Sequence, residues 1–354
     1  MKLEDLGLTN SIAEFILEQN PGNFEAGRVV AEHKERYTVC TETGEFDAEI
    51  TGNMRYSAQS REDFPAVGDW VAVAVYDPDF SIIHKIFPRF SLIKRQAVGR
   101  FGEMQVIAAN IDYAFVVQAV DRDFNLNRLE RYLTICYASK VNPIILLTKT
   151  DLIGEQRIAE MSDSIRQRVK NIPVIAISNQ SRSGYDSLEQ VFEKGKTYCL
   201  LGSSGVGKST LLNNLSGQNR MKTGTISRST NKGRHVTSHR ELTVLENGSI
   251  LIDNPGMREV GVADSGGGLE TTFDQIATLS EKCRFKDCTH QHEAGCKVIL
   301  AVEEGELDRA AYENYRKMEK EKSYFHSTVA ERRKREKKFG KIMKNYKKQM
   351  KKKR

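Results

Sequence analysis

The stretch CLLGSSGVGKSTLLNNL, residues 199–215, sets the frame for the whole chain. An apolar run ending at Gly202 leads into a glycine-rich turn, and a stretch with helical periodicity follows, so the turn joins a strand to a helix. Gly202, Gly207, Lys208 and Ser209 fall on the template G-x4-G-K-[ST], with Ser203, Ser204, Gly205 and Val206 between the glycines and Thr210 just behind. Glycines let such a loop curl until successive backbone N–H groups face one anion, and the helix behind it adds its positive end. In this template the lysine reaches the β and γ phosphates of a nucleotide and the serine hydroxyl ligates magnesium. A strand–loop–helix context is what the motif requires, and a parallel α/β domain is the expected frame.

Upstream lies PIILLTKTD, residues 143–151. An acid at the end of an apolar strand, Asp151, can accept two hydrogen bonds from the N1 and N2 donors of guanine, which adenine lacks. The stem of Lys149 can cover the purine face. Thr148 stands where the N-K-x-D pattern has asparagine, a change expected to loosen the base pocket. Ser178, in AIS, suits a loop whose backbone meets guanine O6. Downstream, DNPG (residues 253–256) follows another apolar strand. There Asp253 can hold the magnesium shell through water and the Gly256 N–H can face the γ-phosphate. The order is base reader, supporting loop, phosphate loop, acid–glycine loop, whereas ordinary GTPases place the phosphate loop first. A closed α/β domain whose ends lie close together tolerates such relocated termini.

The flanks differ in texture. Residues 9–19 read as a short helix, and residues 25–92 as short strands punctuated by Gly, Asn and Pro, which predicts a small β-barrel. Trp70, Tyr37 and Phe46 are candidates to stack bases on it, although core packing is the commoner role for each. Three of the six cysteines are scattered (Cys40, Cys136, Cys199) and read as core residues. The other three, Cys283, Cys288 and Cys296, enclose His290 and His292 within fourteen residues. Three thiolates and one imidazole complete a closed tetrahedral zinc shell, so the cluster reads as structural zinc rather than catalytic metal. Residues 330–354 hold 14 Lys/Arg against 2 Glu, a local +12 that leaves −5 on residues 1–329 of the net +7. Such asymmetry points to a polyanionic partner. No apolar run approaches the ~18 residues of a membrane span, and the first residues lack the apolar core of a secretory signal.

Permuted GTPase motifs, a preceding β-barrel and a following zinc cluster together resemble the RsgA (YjeQ) family of bacterial ribosome small subunit-dependent GTPases, over nearly the whole chain. The resemblance implies a multidomain fold: a helical segment at residues 1–20, an OB-fold β-barrel at 21–100, a circularly permuted α/β P-loop GTPase domain at 101–262, and an α-helical zinc-binding domain with a basic tail at 263–354. It favours His290 over His292 as the fourth zinc ligand. Met257 occupies the position after D-x-x-G, where many GTPases carry a glutamine that orients water. The segment GRHVTSHREL, residues 233–242, resembles the family's G-[RK]-H-T-T-T stretch. On that likeness His235 positions the attacking water and Thr237 completes the magnesium shell. Val236 and Ser238 replace the flanking threonines and leave that ligand in place.

The function implied is GTP hydrolysis stimulated by the small (30S) ribosomal subunit in its late maturation, with 16S rRNA bound through the barrel, zinc domain and tail. The implied setting is a cytoplasmic monomer with GTP or GDP, Mg2+ and one structural Zn2+, and no membrane. Two other readings are a nucleotide-regulated RNA-binding assembly factor in which hydrolysis is incidental, and a small-molecule kinase, which leaves the zinc cluster and tail unexplained.

Overall fold

The computed structural model describes residues 2–19, 24–33, 36–96, 104–121, 124–217, 240–253 and 266–326. The basic tail expected at residues 330–354 lies outside them. A 3-10 turn, Leu3–Leu6, leads to helix α1 (Asn10–Gln19), which opens behind Thr9, whose hydroxyl accepts the Ile12 N–H at 3.4 Å.

Five strands follow: β1 (Glu25–His33), β2 (Arg36–Thr41), β3 (Glu45–Ile50), β4 (Trp70–Asp77) and β5 (Phe80–Ile86). They pair in the order β1-β2-β3-β5-β4, and β4 returns to β1, closing a barrel of the OB kind. Alternation in β3 shows how the pattern folds: Phe46, Ala48 and Ile50 are buried while Glu45, Asp47 and Glu49 stay in water. Helix α2 (Gly52–Ser57) fills the β3–β4 connection, capped by the Thr51 hydroxyl on the Met54 N–H at 3.1 Å. Trp70, Tyr37 and Phe46 are all buried. Core packing is therefore what they do, with the Arg28 guanidinium 5.4 Å above the Trp70 ring.

A hairpin of β6 (Leu92–Gln96) and β7 (Met104–Ala109) leads into the α/β unit. Its strands are β8 (Tyr113–Ala119), β9 (Asn142–Thr148), β10 (Val174–Ala176), β11 (Thr197–Gly202), β12 (Arg240–Val244) and β13 (Ile250–Asp253), arranged β10-β9-β8-β11-β13-β12. All neighbours are parallel except β12 with β13. Helices α3 (Leu126–Ala138), α4 (Glu155–Arg168), α5 (Tyr185–Glu189) and α6 (Lys208–Ser216) connect them. The central strands read as unbroken apolar runs because both faces are covered. In β8, Ala114 and Val116 enter one core while Phe115 and Val117 enter the other.

Barrel and α/β unit share one sheet. Strand β12 pairs antiparallel with β1, Ala31 opposite Glu241, so eleven strands run without a break. One apolar core also crosses the junction, from Leu6 and Trp70 to Ile107, Ile111 and Leu133. Within the junction Arg28, 1% exposed, donates to the carbonyls of Leu6, Gly68 and Asn110 and to the Thr197 hydroxyl. Burial pulls its pKa down to about 10, with Asp112 and Asp69 opposing.

Helices α7 (Gly268–Thr272), α8 (Asp274–Ser280), α9 (Lys297–Glu303) and α10 (Arg309–His326) form the last unit around Leu269, Phe273, Ile276, Val298 and Met318. It docks on α3. Thr134 meets Thr272 at 3.0 Å, Asn314 donates to Glu130 at 2.5 Å, and Arg131 grips Glu321 with bonds of 2.6 and 2.8 Å. Arg168 reaches both Glu130 (2.6 Å) and Asp308 (2.8 Å). Burial raises the Glu130 pKa, and the Arg168 bonds oppose it.

Candidate nucleotide site and metal centre

In an open parallel sheet, ligands meet the loops that leave the carboxyl ends of the strands. The predicted motifs sit there: Lys149 and Asp151 follow β9, Ser178 follows β10, Gly202 ends β11 with residues 203–210 after it, and Asp253 ends β13. Strand order, not chain order, brings them together. The permuted sequence therefore builds one rim.

The phosphate loop depends on its glycines. Gly202 has φ +153°, and a Cβ there would lie 2.4 Å from the Val117 carbonyl oxygen. Gly207, φ +97°, caps α6 from the left-handed region. Ser204, Gly205 and Ser209 are exposed, Ser203 and Thr210 half-buried, and Val206 buried. The Lys208 ammonium sits on the loop itself, bonded to the carbonyls of Gly202 (2.7 Å) and Ser203 (2.6 Å). From α3, Arg128 donates to the Ser203 hydroxyl at 2.9 Å, and Tyr132 bonds the same serine.

On the base side, Ser178 donates to Asp151 at 2.5 Å and its oxygen accepts the Gln180 and Ser181 N–H groups, so the loop after β10 orients the carboxylate. Lys149, in the left-handed region at φ +61°, pairs with Asp121 at 2.8 Å. Thr148 is fully buried, and its hydroxyl lies 2.6 Å from the Val206 carbonyl and 3.3 Å from that of Gln118. It thereby joins the end of β9 to the phosphate loop. Sequence reasoning overlooked Asp121, Arg128 and Asn179. Only Asn179, next to Ser178, carried a local signal. His235, Thr237 and Gly256 lie outside the described residues.

The second cluster is local. Ligand atoms of Cys283, Cys288, His290 and Cys296 all lie within 4.8 Å of one another. Tetrahedral zinc with Zn–S of ~2.3 Å and Zn–N of ~2.05 Å places sulphurs ~3.8 Å apart and sulphur ~3.6 Å from nitrogen. Cys283 and Cys296 Sγ are 3.9 Å apart, and His290 Nδ1 lies 3.7 and 3.4 Å from them. The donor set and its spacing fit zinc. Ser280 supplies the outer support. Its hydroxyl commits its proton to the Ile276 carbonyl at 2.7 Å, so it accepts from His290 Nε2 at 3.0 Å and leaves Nδ1 as the lone-pair nitrogen facing the thiols. Burial also holds the His290 pKa below its usual value, which favours the neutral, ligating imidazole. Glu293 ties the turn by accepting the N–H groups of Thr289, Gln291 and His292. Cys40, Cys136 and Cys199 are buried in the core that spans barrel and α/β unit.

Among the described residues no helix is long and apolar enough to cross a membrane. The model of the RsgA GTPase family matches residues 86–263. An ABC transporter model matches residues 185–352, a range that takes in the phosphate loop but omits the TKTD segment at 148–151. The chain is 40% identical to the small ribosomal subunit biogenesis GTPase RsgA of Opitutus terrae, covering 92% of this chain and 90% of the relative. It is 41% identical, with the same coverage, to RsgA 2 of Listeria monocytogenes. Two solved structures share the fold at a TM-score of 0.61 and 24% identity: YjeQ from Thermotoga maritima, covering 84% of this chain and 98% of that one, and YloQ, described as a circularly permuted GTPase, covering 88% and 99%. An acid after β9, a glycine-rich loop after β11 and a permuted order of motifs along the chain, with relatives alike over nine-tenths of the chain, have one reading: the chain belongs to the RsgA family of GTPases.

Proposed function

We propose that this protein hydrolyses GTP when the small ribosomal subunit engages it, and that it acts in the late maturation of that subunit. One observation carries the guanine-nucleotide reading. Thr148 bonds the Val206 carbonyl while Ser178 aims Asp151, so base reader and phosphate loop form a single cradle. The ribosomal reading is supported by the relatives, which are named small ribosomal subunit biogenesis GTPases.

In this reading the N–H groups of residues 202–210 and the Lys208 ammonium hold the phosphates, the ammonium exchanging its loop carbonyls for phosphate oxygens. Asp151, Lys149 and the loop after Ser178 hold the base. Ser209 and Thr237, with Asp253 in support, would hold the magnesium that comes with GTP, and the ion would neutralise charge on the β and γ phosphates. His235 orients water so that its oxygen adds to the γ-phosphorus as the bond to the β–γ bridging oxygen breaks, the electron pair leaving with GDP. Histidine suits this role because either ring nitrogen donates or accepts near neutral pH. The Gly256 N–H faces the γ-phosphate. Cys283, Cys288, His290 and Cys296 hold one structural zinc. The barrel, the zinc unit and the basic segment 330–354 contact 16S rRNA phosphates, which makes subunit binding strongly salt-dependent. The protein works as a cytoplasmic monomer.

The test is steady-state GTP hydrolysis by the purified protein alone, with small subunits and with large subunits. Stimulation by small subunits only, abolished in Lys208→Ala and cut at least ~10-fold in His235→Ala with GTP binding kept, is the expected result. Tight GTP binding without stimulation would replace it with the assembly-factor reading, in which hydrolysis is incidental.

A further inference from the structure

Thr148 has one hydroxyl proton, and the 2.6 Å contact to the Val206 carbonyl takes it. The adjacent phosphate-loop carbonyl is also held, from the other side of the cradle. Asn179 Nδ2 donates to Gly207 O at 3.0 Å. Its side-chain oxygen accepts the Tyr185 hydroxyl at 2.8 Å, and its main-chain oxygen accepts Asn214 Nδ2 at 2.9 Å. Asn214 Nδ2 also lies 2.9 Å from the Tyr185 hydroxyl. Three side chains thus lock the loop after β10, helix α5 and helix α6 into one triangle, with Tyr185 buried beneath it. The fit is close, since a Cβ on Gly207 would come within 2.8 Å of Asn179 Nδ2. The Asn179 N–H, beside the Ser178 that aims Asp151, enters no hydrogen bond among the described residues.

We propose that Asn179 is a positioning residue for guanine selectivity. Its amide fixes the distance between the base-reading loop and the phosphate loop, a second tether that the single hydroxyl proton of Thr148 does not supply. With phosphates seated at Gly207, that tether sets where the Asp151 carboxylate and the Asn179 N–H meet the base edge. Hydrogen bonds weaken steeply with misalignment, so a released loop loses base contacts before it loses phosphate contacts. The inference rests on Asp151 as the guanine reader.

The test compares GDP with IDP, which lacks the 2-amino donor, by calorimetric or fluorescence titration of the full chain. Wild type is expected to prefer GDP at least ~10-fold, as loss of one charge-assisted hydrogen bond implies. Asn179→Ala is expected to lower that ratio at least threefold, with IDP affinity changing less than GDP affinity, and Tyr185→Phe to lower it by a smaller factor. Adding Thr148→Asn to Asn179→Ala, which supplies a second amide donor, is expected to restore part of the ratio. An unchanged ratio in folded Asn179→Ala overturns the proposal. If that variant does not fold, an unchanged ratio in Tyr185→Phe does so. A lost ratio that Thr148→Asn leaves unrestored also counts against spacing as the cause. Equal affinities in wild type would instead remove Asp151 as the base reader, and this inference with it.

Discussion

The candidate metal cluster draws its four possible donors from fourteen consecutive residues, 283–296, whereas the candidate nucleotide rim gathers Thr148, Ser178, Gly202 and Asp253 from the ends of four strands. In the cluster, residue chemistry does most of the positioning. Three thiols and one imidazole converge across a turn that Glu293 ties and that α9 continues, with Cys296 accepting the Ile299 N–H at 3.4 Å. At the rim no single segment is sufficient. The phosphate loop gets its shape from glycines at positive φ, and Thr148 and Asn179 hold two of its neighbouring carbonyls from the ends of β9 and β10. A local site is fixed by ligand chemistry, and a distributed one by the sheet that carries it. Helix α3 touches the rim through Arg128 on Ser203, and helix α10 of the unit that carries the cluster through Arg131 on Glu321.

The largest effect is expected at the candidate metal site. The helices around the cluster run to 5, 7 and 7 residues in α7, α8 and α9, too short to persist in water alone. A structural zinc contributes apparent free energies of about 10–16 kcal/mol in zinc-finger peptides. Chelation, or Cys296→Ala, is expected to abolish hydrogen-exchange protection across 268–303 while GDP affinity stays within about threefold. In the chelated protein iodoacetamide should label Cys283, Cys288 and Cys296 but not Cys136 or Cys199, whose pKa values burial raises. A nucleotide affinity that collapses on chelation would show that the two sites are not independent.

A smaller effect is expected at the rim. Gly202→Ala forces a Cβ against the Val117 carbonyl at a φ of +153°. Strain of this kind costs about 1–3 kcal/mol, so Tm should fall by roughly 3–10 °C and GDP binding should weaken. Leaving Tm and binding unchanged would mean that the loop yields, and that its shape is not glycine-dependent. The smallest effect sharpens the role of α3. The Arg131–Glu321 pair has side chains 20% and 30% exposed, so about 1 kcal/mol is expected from it. Arg131→Ala should speed hydrogen exchange in α10 about fivefold and leave GDP affinity alone. A matching loss of GDP affinity would make α3 a rigid link between the sites.

Much of this was legible in residue order. Residues 196–202 and 143–148 announce buried strands because both faces of a parallel sheet are covered, and the β3 alternation announces a barrel wall. Fusion of barrel and α/β unit was not legible. The β1–β12 pairing joins residues 31 and 241, and nothing local in either strand names its partner. Arg28 was equally silent, since an arginine in a strand gives no sign that four oxygens from four segments will surround it.

Sequence alone named the candidate chemistry: a loop that can wrap phosphate, an acid that can read guanine, and three thiols with an imidazole at zinc spacing. Those properties belong to side-chain type and short-range backbone freedom, which a linear chain displays. Tertiary structure decided the distances. That Thr148 and Asn179 grasp adjacent carbonyls, that Ser280 sets the His290 tautomer, and that β12 continues into the barrel all follow from contacts between segments far apart in the chain. Hydrogen bonds and packing act over a few ångströms of space regardless of separation along the backbone, and only the folded sheet brings those atoms within that range.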